Sequence, residues 1–170
     1  MATTTFRMTS LCWFWSASMA VTRTISLAIE SRPECIELLS SAVNGLCRLT
    51  ALPATDIAQI ELAMVEAVNN AVEHAYHGEP GHAVMVEFRL APDRFTLLVR
   101  DRGDPMEPGK LGAPVSVAKL NEADPETWPL RGRGLAIIKS CMDSVEYHVC
   151  NGENTLTMNR LLRGTGSGPA

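Results

Sequence analysis

The sequence has no internal repeat and no low-complexity tract, so neither a solenoid array nor a compositionally biased chain fits it. It lacks an excess of basic charge. Fifteen Lys and Arg stand against nineteen Asp and Glu, giving a net charge of −4 and a pI near 5.6. A direct reader of the nucleic-acid phosphate backbone needs a basic face, so that class is set aside. A protein that binds a DNA-binding protein is not. The five cysteines are odd in number and have no C-x-x-C spacing. They read as free thiols in a reducing cytosol rather than a disulfide or zinc framework. The apolar stretch near the start, Leu11 to Trp15, is too short to span a bilayer.

What is present is globular. Hydrophobic residues make up 46% and charged residues 20% of 170, enough for one ordinary domain and too few for two. Alternation from Val21 to Ile29 predicts a strand. Ser31-Arg32-Pro33-Glu34 reads as a helix start, with Ser31 as N-cap and Pro33 in the first turn. Ile36, Leu39, Val43, Leu46 and Leu49 then keep helical spacing. A second helix opens between Pro53 and Asp56, runs to about Tyr76 and stops at Gly78. Ala83 to Leu90 and Arg94 to Arg100 predict a strand pair turned at Ala91-Pro92-Asp93.

Residues 104–131 are rich in Pro and Gly and poor in apolar anchors, which predicts a functional loop or lid, mobile until something orders it. A helix from Gly132 to about Met142 follows, then a hairpin around Asn151-Gly152. Helices segregate from hairpins, so the class is α+β, with an antiparallel-rich sheet and helices on one face. Met64, Met85, Met142 and Met158 are expected to fill the core.

Three places carry candidate chemistry. Glu66 and Asn70 are spaced i, i+4, one above the other on a helix face, with Glu73 on the same side. An Asn oxygen can ligate Mg²⁺, which also keeps waters and substrate phosphates, and a carboxylate one turn back can accept a proton. A polar helix face with no ligand is the plainer alternative. Asp101 ends an apolar strand and precedes Gly103. Its carboxylate can accept a hydrogen bond from an exocyclic amine while the glycine admits a ligand close to the backbone; a turn aspartate is the plainer alternative. Gly132-Arg133-Gly134 opens a helix whose free N–H groups suit a phosphate, or is only a hinge. His74 and His77, at i, i+3, are read as helix-end histidines rather than metal ligands. Trp128, within the lid, either covers a nucleotide, packs on a partner or packs the lid itself.

Taken together, these segments resemble a known family. Glu66-x-x-x-Asn70 looks like the N-box of the GHKL (Bergerat-fold) ATPases, Asp101-x-Gly103 like the G1 box, and Gly132-x-Gly134-Leu135 like the G2 box. More narrowly, Glu66 to Tyr76, Asp101-Arg-Gly-Asp104 and Gly132 to Asp143 resemble the anti-sigma-factor serine kinases of bacterial partner switching. Pro105 departs from the broader superfamily, which often has a glycine there, and agrees with the narrower family, which often varies. No phosphoacceptor histidine stretch precedes the domain, unlike a sensor histidine kinase.

The resemblance implies a two-layer Bergerat-type sandwich with a mixed, mostly antiparallel sheet and an ATP lid. It implies an ATP- and Mg²⁺-dependent protein-serine kinase that phosphorylates a STAS-domain anti-anti-sigma protein and otherwise sequesters a sigma factor. By matching position, Glu66 is the catalytic base and Asn70 the Mg²⁺ ligand. Asp101 is the adenine contact, and Gly103, Gly132, Arg133, Gly134 and Leu135 line the nucleotide. A cytoplasmic homodimer without membrane or direct nucleic-acid contact goes with it. A nucleotide-regulated binding module without phosphotransfer, or one with a non-sigma partner, stands as the alternative.

The domain is then expected over residues 19–163, with 164–170 a disordered tail and 1–18 outside the core. Arg7, Leu11 to Trp15 and Ser18-Met19-Ala20 form a weak secretory-leader pattern. An upstream start with Met19 as initiator is the preferred reading, since an exported protein meets no ATP.

Overall fold

The expected strands pair into one sheet. The computed structural model describes residues 22–48, 50, 52–112 and 134–162; the leader pattern, Leu49, the lid from 113 onward, Trp128, Gly132, Arg133 and the tail lie outside them. The order is β1 (Arg23–Glu30), α1 (Pro33–Arg48), α2 (Ala54–Asn70), a π-helical turn (Ala71–Ala75), β2 (Ala83–Leu90), β3 (Arg94–Asp101), α3 (Gly134–Cys141), β4 (Ser144–Cys150) and β5 (Glu153–Leu161). The strands lie side by side as β1-β2-β3-β5-β4, and every pairing among the described residues is antiparallel.

Period-two alternation sends Val84, Val86 and Phe88 of β2, Phe95, Leu97 and Val99 of β3, and Leu156 and Met158 of β5 to one face, all buried. The helices cover that face. α1 contributes Ile36, Leu39, Val43 and Cys47; α2 contributes Ile57, Ile60, Met64 and Val68; α3 contributes Ile138. The opposite face carries polar groups, including Glu87 paired with Arg89 and Arg100, and Thr96 donating to Asn159 at 2.7 Å. The molecule is thus two layers, as the class reading expects.

Four expectations are corrected. Ser31 does not cap α1: its hydroxyl, 1% exposed, donates to the Glu79 carbonyl at 2.7 Å and accepts from the His82 N–H at 3.1 Å. It stitches the end of β1 to the loop before β2. Cys47 takes the core position in the last turn of α1, and Leu46 is only half-buried. Met64, Met142 and Met158 are core residues, but Met85 lies on the outer sheet face, 39% exposed. Helix α2 does not run to Tyr76 as an α-helix, because its last turn widens into the π-helical segment Ala71–Ala75.

Polar ties fix the helix layer. Glu61 of α2 accepts from Ser40 at 2.5 Å and from Asn44 at 2.6 Å, both on α1. Arg160 of β5 reaches Asp56 at 2.8 Å and Gln59 at 2.7 Å at the start of α2, and the Cys141 carbonyl of α3 at 3.2 Å. Sheet, α2 and α3 meet on that one guanidinium, whose fork of donors suits several acceptors at once.

Candidate functional site

Ala67, Val68, Ala71 and Val72 turn into the core. Glu66 and Asn70 therefore fall on the flank of α2, where α3 begins. A Cβ built on Gly134 would lie 2.9 Å from Glu66 Oε2 and 3.2 Å from Asn70 Oδ1. A side chain at this position would displace the Glu66 carboxylate from the start of α3. The structure thus brings Gly134 to a pair of residues more than sixty positions before it in sequence. Burial, with a lesser contribution from the charge of Glu73, raises the Glu66 carboxyl above its ordinary pKa. The Nδ2 of Asn70 is buried with no hydrogen-bond partner among the described residues. A buried amide left unpaired is costly, and native proteins keep few of them.

The π-helical turn carries the chain from this pair to a second cluster. Tyr76 N donates to Ala71 O at 3.0 Å, and the turn closes through His77 and Gly78, with φ of 54° and 77°. The Tyr76 hydroxyl donates to Ala83 O at 3.1 Å and accepts from the Arg102 N–H at 2.8 Å. Its ring stacks on His82 at 4.4 Å between centroids. The loop after β3 is pressed against the end of the π turn. A Cβ on Gly103 would sit 2.3 Å from the Ala75 carbonyl oxygen, and Asp104 N donates to that same oxygen at 2.9 Å. The missing side chain of Gly103 is therefore required inside the protein, by the approach of two backbones.

Asp101, at the end of β3, is half-buried. Its Oδ1 accepts from Gly103 N at 3.0 Å and from Asn154 Nδ2 at 2.7 Å; the same Nδ2 donates to Gly103 O at 3.0 Å. Burial raises the Asp101 pKa, the Asn154 and Gly103 hydrogen bonds oppose this, and the charge of Glu153 adds to the rise. Asn154 is 2% exposed and was not a sequence candidate. Its only signal was a polar residue at an inward register position, two before Leu156, and that signal needs the β3–β5 pairing to be known.

Leu135 is partly buried against the core. Nε2 of His77 lies 2.9 Å from Asp104 Oδ2, His74 is exposed, and no group of three or more His, Cys, Asp or Glu suited to a metal occurs among the described residues. The first part of the expected lid is tethered: Met106 N donates to the Tyr147 hydroxyl at 2.8 Å, and Lys139 of α3 donates to Leu111 O.

Residues 29–160 match the family model described as the histidine kinase-like ATPase domain, most of the chain. The chain belongs to that family. The GHKL resemblance of the three segments and the α+β fold agree with this. The histidine kinase-like ATPase domain here is similar to serine-protein kinase RsbW of Listeria innocua, 26% identical over 75% of this chain and 81% of that one. It is also similar to serine-protein kinase RsbW of Bacillus velezensis, 28% identical over 82% and 86%. In fold it matches the crystal structure of the RsbU and RsbW domains of a Mycobacterium tuberculosis protein, with a TM-score of 0.57 and 20% identity, over 82% of this chain and 32% of that longer one. No helix among the described residues is long and apolar enough to cross a membrane.

A histidine kinase-like ATPase domain implies use of ATP, and these residues fit a Mg²⁺–nucleotide. The Asn70 Nδ2, a donor with no partner among the described residues, lies beside the N-terminus of α3, and N–H groups at a helix start favour anions such as phosphate. The ligation Mg²⁺ prefers, one or two protein oxygens with waters and phosphates making up the rest, asks for no cluster of acids. Which nitrogen or oxygen of Asn70 faces Gly134 is set by whichever partner it meets, since an amide can turn over.

Proposed function

We propose that this chain is an ATP-dependent protein-serine kinase and anti-sigma factor. It phosphorylates a serine of a STAS-domain anti-anti-sigma protein and, when not doing so, holds a sigma factor. Work as a cytoplasmic homodimer belongs to the same reading. Bound Mg²⁺–ATP supplies the phosphoryl group and neutralises the charge that develops on it. Asn70 offers the metal its side-chain oxygen. Gly132, Arg133 and Gly134 serve the phosphates, Gly134 from the start of α3, where Leu135 is partly buried against the core. Asp101 accepts the exocyclic amine of adenine, on the loop formed with Gly103. Glu66 takes the proton of the incoming serine hydroxyl.

The observation that carries the reading is the meeting of Glu66, Asn70 and Gly134. It sets a carboxylate of raised pKa, closer to working pH than an ordinary glutamate, beside an open amide and a helix N-terminus. The relatives named serine-protein kinase support the same assignment. A pure binding module has less use for a base at that point.

The test is a single-turnover assay with labelled ATP and a STAS-domain protein encoded beside this chain. Glu66→Gln is expected to bind ATP and partner as the wild type does, and to transfer phosphate about 10²–10⁴-fold more slowly. Transfer by the variant at the wild-type rate removes Glu66 from the chemistry. No transfer by the wild type, with partner binding intact, leaves the binding module.

A further inference from the structure

We propose that Asn154 is the positioning residue of the nucleotide-base end of the site: it holds one oxygen of Asp101 so that the other is presented to the 6-amino group of adenine. The inference rests on the assignment of Asp101 made above and goes beyond it by naming what aims the carboxylate.

The geometry is specific. Both bonds to the Asp101 carboxylate, from Gly103 N and from Asn154 Nδ2, land on Oδ1. Oδ2 has no partner among the described residues. A carboxylate offers about four lone-pair positions, and filling two on one oxygen leaves the second oxygen as the open acceptor. The orientation of the Asn154 amide is decided by its neighbours, because the Asp101 carboxylate and the Gly103 carbonyl are both acceptors and only the NH₂ end can face them.

The same group therefore fixes the carboxylate and the turn that follows it. It does so from β5, across the register pair Asp101–Asn154, with the side chain almost fully enclosed. Gly103 is in turn pinned against Ala75, five residues beyond Asn70 on the same continuous helix. An unanchored aspartate at a strand end rotates about two χ angles, and each rotamer it populates dilutes the acceptor that a purine amine needs. Loss of the Asn154 hydrogen bond also lets burial push the Asp101 carboxyl further up, away from the ionised acceptor form.

The experiment uses two substitutions of nearly equal shape, both at home in a strand: Asn154→Thr, which keeps a donor, and Asn154→Val, which has none. Dissociation constants for ATP and for inosine triphosphate, whose 6-oxo group offers no amine, are measured by calorimetry for these, for the wild type and for Asp101→Asn. The wild type is expected to prefer ATP. Asn154→Val is expected to reduce that preference about tenfold by weakening ATP and sparing the inosine nucleotide, and Asn154→Thr to keep most of it.

In Asn154→Val the loss of ATP binding on acidification should also set in at higher pH. A merely structural role would weaken both nucleotides alike and leave that pH profile in place. Equal preference in the Thr and Val variants overturns the proposal for Asn154 while leaving Asp101 standing, provided Asp101→Asn abolishes the preference. A wild type with no preference for ATP overturns the Asp101 reading and this inference with it. Should Asn154→Val fail to fold, Asn154→Thr decides with Asn154→Ala in its place, read against the same two nucleotides.

Discussion

Glu66 sits where its own charge is disfavoured. It is half-buried against the start of α3 with Glu73 nearby, and both raise its carboxyl pKa in the folded state. The stability contribution of a group raised in this way is full below the unfolded-state value, about 4.3 for glutamate, and is lost as pH rises through the folded value. At neutral pH the ionised side chain is a net cost to the fold. Glu66→Gln is neutral throughout, so it should melt above the wild type at pH 7 to 8. The two melting curves should converge as pH falls below the ordinary carboxyl range. A thermal series from pH 4 to pH 8 reads this directly. An offset that does not change with pH would mean that the carboxylate is not strained by its surroundings. The functional sense is plain: the protein tolerates instability at the residue proposed as base, a common exchange at sites that hold reactive groups.

At the scale of elements, the π-helical turn and the lid base form one joint. Spacing alone places the three α-helices, both hairpins and the Asn151-Gly152 turn, where φ of 51° and 73° matches the expected two-residue loop. It does not show the π turn, because its surroundings are tertiary. Gly103 presses on Ala75, and Tyr76 is held between Ala83 and Arg102, from segments that periodicity treats separately. The Ser31 tie was misread for the same reason: a serine two residues before a proline has the pattern of a cap, and only the packed loop shows where its hydroxyl goes.

The lid is a mixed case. Its composition predicts mobility over 104–131, yet Asp104 and Met106 donate to Ala75 O and the Tyr147 hydroxyl. In the nucleotide-free protein these two amides should exchange slowly, and ATP should slow exchange across the remainder of the segment. Tyr147→Phe should free Met106 to exchange while costing about 1 kcal/mol or less of stability, the net worth of one hydrogen bond. Fast exchange at Met106 in the wild type would show that the tether does not hold in solution.

At the scale of the molecule, the sheet is two hairpins and an edge strand. β2 pairs with β3 and β4 with β5 through short turns, β1 adds to the outer edge of β2, and the β3–β5 seam joins the two hairpins. The two-layer class could be read from the order of elements. The seam could not, since no local pattern says which edge of one hairpin meets which edge of the other. Asn154 escaped notice on that account. Asp101 lies opposite it at the end of the seam, 53 residues away in sequence.

This has a consequence for the order of events in folding. Local hairpins can form early, whereas closing a seam between distant segments is the slow, entropically expensive step. Asp101, the proposed acceptor for the nucleotide base, is the last rung of that seam, so the acceptor is absent from any species in which the hairpins have formed but not joined. Saturating ATP should then leave the folding rate unchanged and place its whole stabilisation, about 2.7 kcal/mol at a hundredfold excess over Kd, on the unfolding rate. In rate profiles against denaturant, only the unfolding arm should move. Movement of the folding arm would mean that the seam closes before the barrier and that the nucleotide takes part in building the protein that holds it.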